Sequence, residues 1–297
     1  MTKYVSSTEK NETHIENVTK MPLDLIKIDA AKKSLSTWEI DALNLYMNEA
    51  KYFYSVIEHE IDGPPMNIYE IGSGIGLLSR LIAERGHNVI ATDPSSSGFT
   101  VIRKLHDIIE KCFETDLPQP KFYELPAQEL SKNLVGGATF EYIFCANVVE
   151  HVQDQKEFFD SIIPKLKVNG VFRFICPNYW FPYEPHFGFL SLPSKTITRF
   201  IQRKKIENSN IAEVYNDLSF PNIFKLNKIL NGYEVTTRYE NFATINYINR
   251  AIKDEFFSLR KKRLSNLVRL FSKPLLAVVD KLPKSILPTI DCYVTRY

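Results

Sequence analysis

The chain has 297 residues, of which 44% are hydrophobic and 24% charged, a composition that excludes a disordered protein. Lys and Arg (37) almost balance Asp and Glu (35), so the net charge of +2 gives no electrostatic support for a nucleic-acid partner. No apolar run approaches the roughly 18 residues that would predict a membrane-spanning helix.

Residues 1–20 are polar and lack the layout of a secretory signal, so they predict a flexible tail. The four cysteines have no metal-type spacing, which favours reduced thiols in a cytoplasmic protein. From residue 38 to 61, apolar positions recur at helical intervals and predict one or two helices, ended by Gly63-Pro64-Pro65.

From there to residue 177, short apolar runs alternate with helical patterns, which is typical of a parallel sheet with helices on both faces. Asn169-Gly170 is a turn signal that predicts where the fifth strand begins. The predicted strands are Asn67–Ile71, Asn88–Thr92, Lys121–Glu124, Tyr142–Ala146 and Val171–Cys176. The predicted helices are Leu77–Glu84, Thr100–Cys112 and Gln155–Leu166.

The C-terminal part has a different composition. Residues 178–193 are rich in aromatic residues and prolines and predict an irregular lid after the fifth strand. Tyr233–Tyr239 and Thr289–Thr295 read as two further strands, and a basic, apolar insert (252–287) lies between them. Nine Lys/Arg against three Asp/Glu within 253–284 give this insert a net charge of about +6. The pattern predicts either a helical cap with a solvated basic face or a peripheral contact with an anionic membrane.

Glycines stand at every second position directly after the first predicted strand, at Gly72, Gly74 and Gly76. Such a turn lets the backbone approach a ligand, and the helix start offers unpaired N–H groups. Asp93 ends the next strand, 17 residues after Gly76, where a carboxylate can accept both ribose hydroxyls. The pair predicts nucleoside binding, and a tight turn without a ligand is the alternative. The third glycine comes one residue too early for Gly-x-Gly-x-x-Gly, which disfavours a nicotinamide-dependent oxidoreductase.

The pattern acid-x-Gly-x-Gly-x-Gly, with Glu70 as the acid, resembles the first motif of the class I S-adenosylmethionine-dependent methyltransferases. The resemblance extends, with decreasing sharpness, from about residue 40 to the C-terminus. It implies a Rossmann-like, seven-stranded, mostly parallel sheet and S-adenosylmethionine as cofactor, with the methionine part on the glycine turn and the ribose on Asp93. The residues that it assigns to the cofactor are Glu70, Gly72, Ser73, Gly74, Gly76, Asp93, Ala127, Gln128 and Asn147.

The segment 140–152 resembles the fourth strand and turn of those methyltransferases in which Glu-His-Val ends the motif. Quinone-biosynthesis O-methyltransferases carry it, as do bacterial methyltransferases found with surface-glycan synthesis. In the quinone enzymes two glutamates and a histidine can hold a divalent metal, but Asn147 replaces the first glutamate, so we expect no metal site. Glu150 and His151 are candidate catalytic residues, and a helix-start pair is the alternative reading.

The aromatic segment after the fifth strand resembles the lid of glycan- and lipid-associated bacterial methyltransferases. It implies that Tyr183, Glu184 and His186 contact the acceptor, although a loop that merely covers the sheet end is the alternative. A hydroxyl acceptor is a poor nucleophile until it is deprotonated, and a positioned base contributes about 10²–10⁴-fold. His151 is the first candidate base and His186 the second.

The sequence therefore predicts O-methylation of a glycan, a glycolipid or another small molecule, with a lipid-linked glycan accounting for both lid and insert. A quinone or secondary-metabolite methyltransferase is the alternative, and a silent cofactor-binding module or an NAD(P)-dependent oxidoreductase are readings from other classes. The expected location is cytoplasmic, at the inner membrane face if the insert binds lipid. The expected organisation is a domain over 21–297, with the cofactor core at 66–177 and a lid and substrate region at 178–230.

Overall fold

The computed structural model describes residues 25–94, 100–113, 118–130, 137–184, 187–207, 211–253, 270 and 273–297. Seven strands form one sheet: β1 (Asn67–Ile71), β2 (Asn88–Thr92), β3 (Lys121–Tyr123), β4 (Phe140–Ala146), β5 (Leu166–Pro177), β6 (Val235–Glu240) and β7 (Thr289–Arg296). Their order is β3-β2-β1-β4-β5-β7-β6. The pairs β1/β2, β2/β3 and β4/β5 are parallel, whereas β7 is antiparallel to both of its neighbours. The predicted seven-stranded, mostly parallel, Rossmann-like sheet is confirmed.

Helices precede and follow the strands. In the described part of the chain they are α1 (Leu25–Lys32), α2 (Thr37–Ile57), α3 (Leu77–Glu84), α4 (Thr100–Cys112), α5 (Gln155–Ile162), α6 (Lys195–Ile201), α7 (Arg203–Glu207), α8 (Ala212–Asp217), α9 (Ile223–Leu230) and α10 (Phe242–Lys253). Residues 273–279 are also helical. Short 3₁₀ helices span Ala127–Glu129, Val149–His151, Ile163–Lys165 and Lys284–Ile286. The chain divides into two compact units, with unit 1 ending at Gly136 and unit 2 beginning at Gly137.

In unit 1, β1 and α3 are almost entirely buried, which fits a parallel strand and the helix that directly follows it. The helix α2 begins with a capping box, in which the Ser36 backbone N–H and hydroxyl both donate to the Glu39 carboxylate at 2.7 Å. Lys104 of α4 donates to the same carboxylate at 2.7 Å. The hydrogen bond from Lys104 and those from Ser36 lower the pKa of Glu39 to about 2. One carboxylate thus both caps α2 and joins it to α4.

In unit 2, an aromatic core joins α5 to β5. Phe158 and Phe159 of α5 pack against Phe172 and Phe174 of β5, with ring centroids 5.6–6.3 Å apart. The intervening Arg173 points to the other face because strand side chains alternate. Its guanidinium forms two hydrogen bonds of 2.9 Å with Asp291 of β7, and both side chains are buried.

Asp291 extends this buried ion pair to a third element, since its Oδ2 also accepts the Ala243 N–H of α10 at 3.1 Å. Removing one partner of a buried, hydrogen-bonded ion pair leaves the other charge uncompensated. The pair therefore specifies how β5, β7 and α10 are brought together.

The fifth strand begins earlier than the sequence predicts, at Leu166 rather than Val171. Phe140 pairs with Leu166, whereas Tyr142 already pairs with Val171, so the ladder shifts register in this interval. Asn169 has a φ of 62°, and a Cβ on Gly170 would lie 2.9 Å from a backbone carbonyl oxygen. The predicted turn is thus a bulge inside β5 and not its beginning.

One further expectation needs correction. The predicted helix 155–166 ends at Ile162, because Pro164 lies within the following 3₁₀ turn. The helices α6 to α9 lie in the predicted lid and substrate region, beyond the segment 178–193 that is predicted to be irregular. The irregular prediction does apply to residues 178–184 and 187–193, where only an isolated bridge between Glu184 and Phe189 is formed.

The basic insert is only partly described. The helix α10 begins at Phe242, ahead of the predicted insert, and residues 254–269 lie outside the described residues. At the end of the insert, Val279 and Leu287 pack with Ile248 of α10 in a buried cluster. In the part of the chain that the structure describes, no helix is long and apolar enough to cross a membrane. The predicted tail, 1–20, lies outside the described residues.

Candidate functional site

The glycine turn after β1 is tied to the end of β2 by its own backbone. The N–H groups of Gly72 and Ser73 donate to the Thr92 carbonyl at 2.8 and 3.1 Å. The N–H of Gly74 donates to Asp93 Oδ2 at 2.8 Å. The glycine turn and Asp93, which are predicted to bind the same nucleoside, are therefore brought together within unit 1. The Asp93 carboxylate also holds the turn in place through the Gly74 N–H.

Two glycines of this turn are required for different reasons. Gly74 has a φ of 53°, and a Cβ built on it would meet nothing within 4 Å, so the space beside it is open to a ligand. Gly76 has a φ of 69°, and its Cβ would lie 2.6 Å from Arg80 Nη1 and 2.8 Å from the Phe122 ring. Protein packing alone therefore excludes a side chain at Gly76, whereas the open face at Gly74 fits a bound cofactor.

This difference predicts that two matched substitutions have different main effects, one on stability and the other on cofactor binding. Gly76→Ala should lower the free energy of unfolding by about 2–5 kcal/mol, from left-handed backbone strain plus overpacking. Gly74→Ala should cost only about 1 kcal/mol from the backbone but should weaken binding of S-adenosylhomocysteine. Urea unfolding and calorimetry measure the two effects, and equal destabilisation by both variants would contradict the assignment.

Glu70, which precedes the turn, is buried, and its carboxylate accepts the Ser79 hydroxyl. Burial raises the pKa of Glu70 to about 7, the Ser79 bond opposes the shift, and the negative charge of Asp93 adds to it. Burial also raises the pKa of Asp93, against the hydrogen bond from Gly74. A cationic ligand would favour the charged form of both carboxyl groups. The electrostatics of the turn thus fit a cofactor that carries sulfonium and ammonium charges.

The two residues predicted to flank the adenine follow β3 on the 3₁₀ helix Ala127–Glu129. Ala127 is buried and Gln128 half-buried, and Pro126 precedes the helix in extended conformation. Their contact with adenine stays a prediction.

In unit 2, the residues predicted for chemistry directly follow β4. Asn147 is exposed, has a φ of 55° and donates its N–H to the Ile175 carbonyl at 2.8 Å. The next residues form the 3₁₀ helix Val149–His151, in which Glu150 is fully buried and His151 half-buried. Glu150 is thus less accessible than His151, and a catalytic role for either residue stays a prediction.

Sequence reasoning missed Ser219, which holds this short helix in place. Its N–H donates to the Glu150 carbonyl at 2.7 Å, and its hydroxyl donates to the same carbonyl at 3.0 Å. Gln155 of α5 in turn donates to the Ser219 hydroxyl at 3.0 Å. No local motif indicates this contact, since almost 70 residues separate its partners.

The lid carboxylate of Glu184 is bound by its own loop. Glu184 is buried, the Tyr179 hydroxyl donates to its Oε1 at 3.1 Å, and the Phe187 N–H donates to its Oε2 at 2.6 Å. Tyr179 also stacks on Phe220, with ring centroids 4.1 Å apart. In this arrangement Glu184 organises the lid, and a role in binding the acceptor stays a prediction. His186 lies outside the described residues.

The tyrosines near this carboxylate remain protonated. Burial, together with the charges of Glu184 and Glu150, raises the pKa of Tyr179. Burial and the charge of Glu184 also raise the pKa of Tyr183, which is half-buried. Both phenols can therefore donate a hydrogen bond at neutral pH but are poor proton acceptors.

The methyltransferase-domain family matches residues 50–222, which is more than half of the chain. The chain therefore belongs to this family and is a class I S-adenosylmethionine-dependent methyltransferase. Membership decides against the nicotinamide-dependent alternative and against a silent module.

Several relatives are similar over different spans. An uncharacterised protein of Mycobacterium tuberculosis is 26% identical over 220 residues, which cover 72% of this chain and 73% of that protein. The mitochondrial ubiquinone biosynthesis O-methyltransferase of Schizosaccharomyces pombe is 30% identical over 106 residues, 35% of each chain.

Among solved structures, the cyclopropane-fatty-acyl-phospholipid synthase-like protein of Lactobacillus casei is 14% identical, with a TM-score of 0.48, over 85% of this chain and 92% of that chain. The magnesium protoporphyrin IX methyltransferase of Synechocystis is 11% identical, with a TM-score of 0.45, over 87% of this chain and 84% of that chain.

Proposed function

We propose that this methyltransferase transfers the methyl group of S-adenosylmethionine to a hydroxyl of a glycan, a glycolipid or another small molecule. The glycine turn and Asp93 bind the donor, with Ala127, Gln128 and Asn147 as its further contacts. The assignment to a hydroxyl rests on one observation, a half-buried His151 that ends the short 3₁₀ helix after β4, where backbone hydrogen bonds hold it.

The chemistry is an in-line displacement. The acceptor oxygen forms a bond to the methyl carbon, the carbon–sulfur bond breaks with its electron pair passing to sulfur, and the hydroxyl proton passes to the imidazole of His151. Alignment of the three reacting atoms can lower the barrier by up to about 7–11 kcal/mol. The base adds about 10²–10⁴-fold, and an imidazole suits this role because its unperturbed pKa is near 6.5.

A glycan acceptor is supported by an aromatic surface that the segment after β5 forms with α9. Trp180 and Phe224 are both about half exposed and lie edge to face, with ring centroids 5.1 Å apart. The apolar face of a sugar ring stacks well on such an indole, and the Tyr183 hydroxyl is a protonated donor for sugar oxygens. The proposed acceptor region also includes Glu184 and His186, which the sequence assigns to contact with the acceptor.

A phenolic quinone precursor is the second candidate. It is supported by the partial match to a ubiquinone biosynthesis O-methyltransferase and by the Glu150-His151-Val152 motif. The match spans about a third of that enzyme, so it does not cover a whole acceptor site.

An acceptor screen with methyl-labelled S-adenosylmethionine tests the proposal. Nucleotide sugars, soluble glycans, polyprenyl-linked glycans and dihydroxybenzoates are offered separately, and labelled products are located by mass spectrometry. We expect the label on an oxygen of a glycan-bearing acceptor, and label on a phenolic oxygen would select the second candidate. Label confined to nitrogen acceptors would contradict O-methylation. The same panel with the His151→Ala variant tests whether labelling of a hydroxyl depends on the proposed base.

A further inference from the structure

The helix α6 presents an apolar stripe to solvent. Ile197, Phe200 and Ile201 stand at i, i+3 and i+4 and are 51%, 82% and 52% exposed. In a helix of a folded domain such a stripe ordinarily faces the core. Here Thr198 occupies the buried face instead, where its hydroxyl donates to the Leu192 carbonyl at 3.1 Å.

A fourth apolar side chain is fixed beside this stripe. Leu190 is 56% exposed, and its carbonyl accepts the side-chain amide of Gln202, the C-cap residue of α6, at 2.9 Å. We call Leu190 together with α6 and α7 the α6–α7 surface.

The α6–α7 surface is also strongly basic. Residues 195–207 contain five cations and one carboxylate, a net charge of +4 against +2 for the whole chain. Arg199, Arg203, Lys204 and Lys205 are all exposed, and the single carboxylate, Glu207, pairs with Arg203 at 2.9 Å. Basic side chains thus flank the exposed apolar residues.

The inner side of the α6–α7 surface is packed against unit 2. The helices are therefore already docked in the fold, and their exposed apolar side chains belong to the outer side. Ile206 of α7 is fully buried in a cluster with Tyr179, Tyr215 and Phe220. Lys195, at the start of α6, donates to the carbonyls of Asn216 and Leu218 at 2.6 and 2.5 Å. The exposed side chains therefore project from a fixed platform.

Charge decides which partner fits this platform. A second copy would bring one +4 surface against another, and the chain's own insert carries about +6, so both would be repelled. The positive charge of the surface favours an anionic partner. Phe200 is 82% exposed, and a folded protein partner would need a preformed pocket to receive it. A lipid headgroup layer needs no pocket and combines negative charge with an apolar interior.

We propose that the α6–α7 surface docks this enzyme on an anionic lipid bilayer. Phe200, Ile197 and Ile201 enter the boundary between headgroups and acyl chains, and the arginine and lysine side chains contact lipid phosphates. The proposal does not depend on the identity of the methyl acceptor, since docking is a property of the surface alone.

Flotation of the full chain with vesicles tests it, using phosphatidylcholine alone and phosphatidylcholine with 30% phosphatidylglycerol. We expect binding only to the anionic vesicles and a loss of binding at high salt. Phe200→Ser/Ile201→Ser and Arg199→Gln/Lys204→Gln should each reduce the bound fraction at least tenfold. Trp38→Ser in unit 1, where the side chain is also exposed, is the matched control and should bind like the unaltered chain.

The proposal is overturned by equal recovery of the unaltered chain with both vesicle types, or by undiminished binding of the α6–α7 variants. Replacement of Arg260, Lys261, Lys262 and Arg263 by Gln separates this surface from the basic insert. Retained anionic-vesicle binding in that variant supports the α6–α7 surface, and its complete loss overturns it. The side chains substituted in the α6–α7 variants are exposed, so folding should be unchanged. A matching Tm and unchanged S-adenosylhomocysteine binding verify this for every variant.

Discussion

Asp93→Asn is expected to weaken binding of S-adenosylmethionine and S-adenosylhomocysteine about 100-fold or more. The carboxylate is proposed to accept two ribose hydroxyls, and hydrogen bonds to a charged group contribute about 1.5–3 kcal/mol each. The amide oxygen can still accept the Gly74 N–H, which the carboxylate accepts at 2.8 Å, so the turn should keep its shape. Isothermal calorimetry with both ligands measures the loss.

Glu124→Gln is the matched control for this substitution. Glu124 is an exposed carboxylate of the same unit, paired with Arg103 at 3.2 Å, and its loss should leave cofactor affinity within twofold. An unfolding midpoint close to that of the unaltered chain would show that Asp93→Asn acts on binding. Unchanged affinity in a folded Asp93→Asn variant would refute the ribose assignment.

His151→Ala is expected to lower turnover with a hydroxyl acceptor by about 10²–10⁴-fold, because the proton must then pass to water. Cofactor affinity should stay unchanged, since donor binding is assigned to other residues. The short helix is held through the Glu150 carbonyl by Ser219, at 2.7 Å from its N–H, and this contact does not involve the imidazole. Single-turnover kinetics with the acceptor found in the screen separate chemistry from binding.

His59→Ala provides a histidine control, since His59 is an exposed residue of unit 1. It should retain full turnover. Near-normal turnover of His151→Ala, with intact cofactor binding, would remove the residue from the role of base, and the same comparison with His186→Ala would then test the second candidate.

The features that could be predicted from the sequence are those set by neighbours along the chain. The strand, glycine turn and helix from Asn67 to Glu84 have the predicted bounds because apolar period, glycine and helix start all lie within one short segment. The same holds for β2 and for Asp93 at its end, where the hydrogen bond to Gly74 connects the two predicted halves of the cofactor site.

The features that could not be predicted depend on contacts between distant residues. The Asn169-Gly170 signal reads as a turn locally, but pairing with β4 keeps the flanking residues in one strand. The sequence does not indicate that Tyr179 and Phe187 donate hydrogen bonds to the Glu184 carboxylate. Nor does it indicate that Arg80 and Phe122 leave no room for a side chain at Gly76. A single sequence contains no pattern that records such pairings.

The position of β7 has a consequence for biosynthesis. In the sheet, β7 lies between β5 and β6, although it is translated after both. The strand β6 pairs with β7 and reaches β5 only through it, so the emerging chain exposes two unpaired strand edges until β7 arrives. Such edges invite pairing with other nascent chains. The sheet of unit 2 is therefore completed only when β7 is synthesised, and slow synthesis across residues 241–288 would prolong the interval in which these edges are exposed.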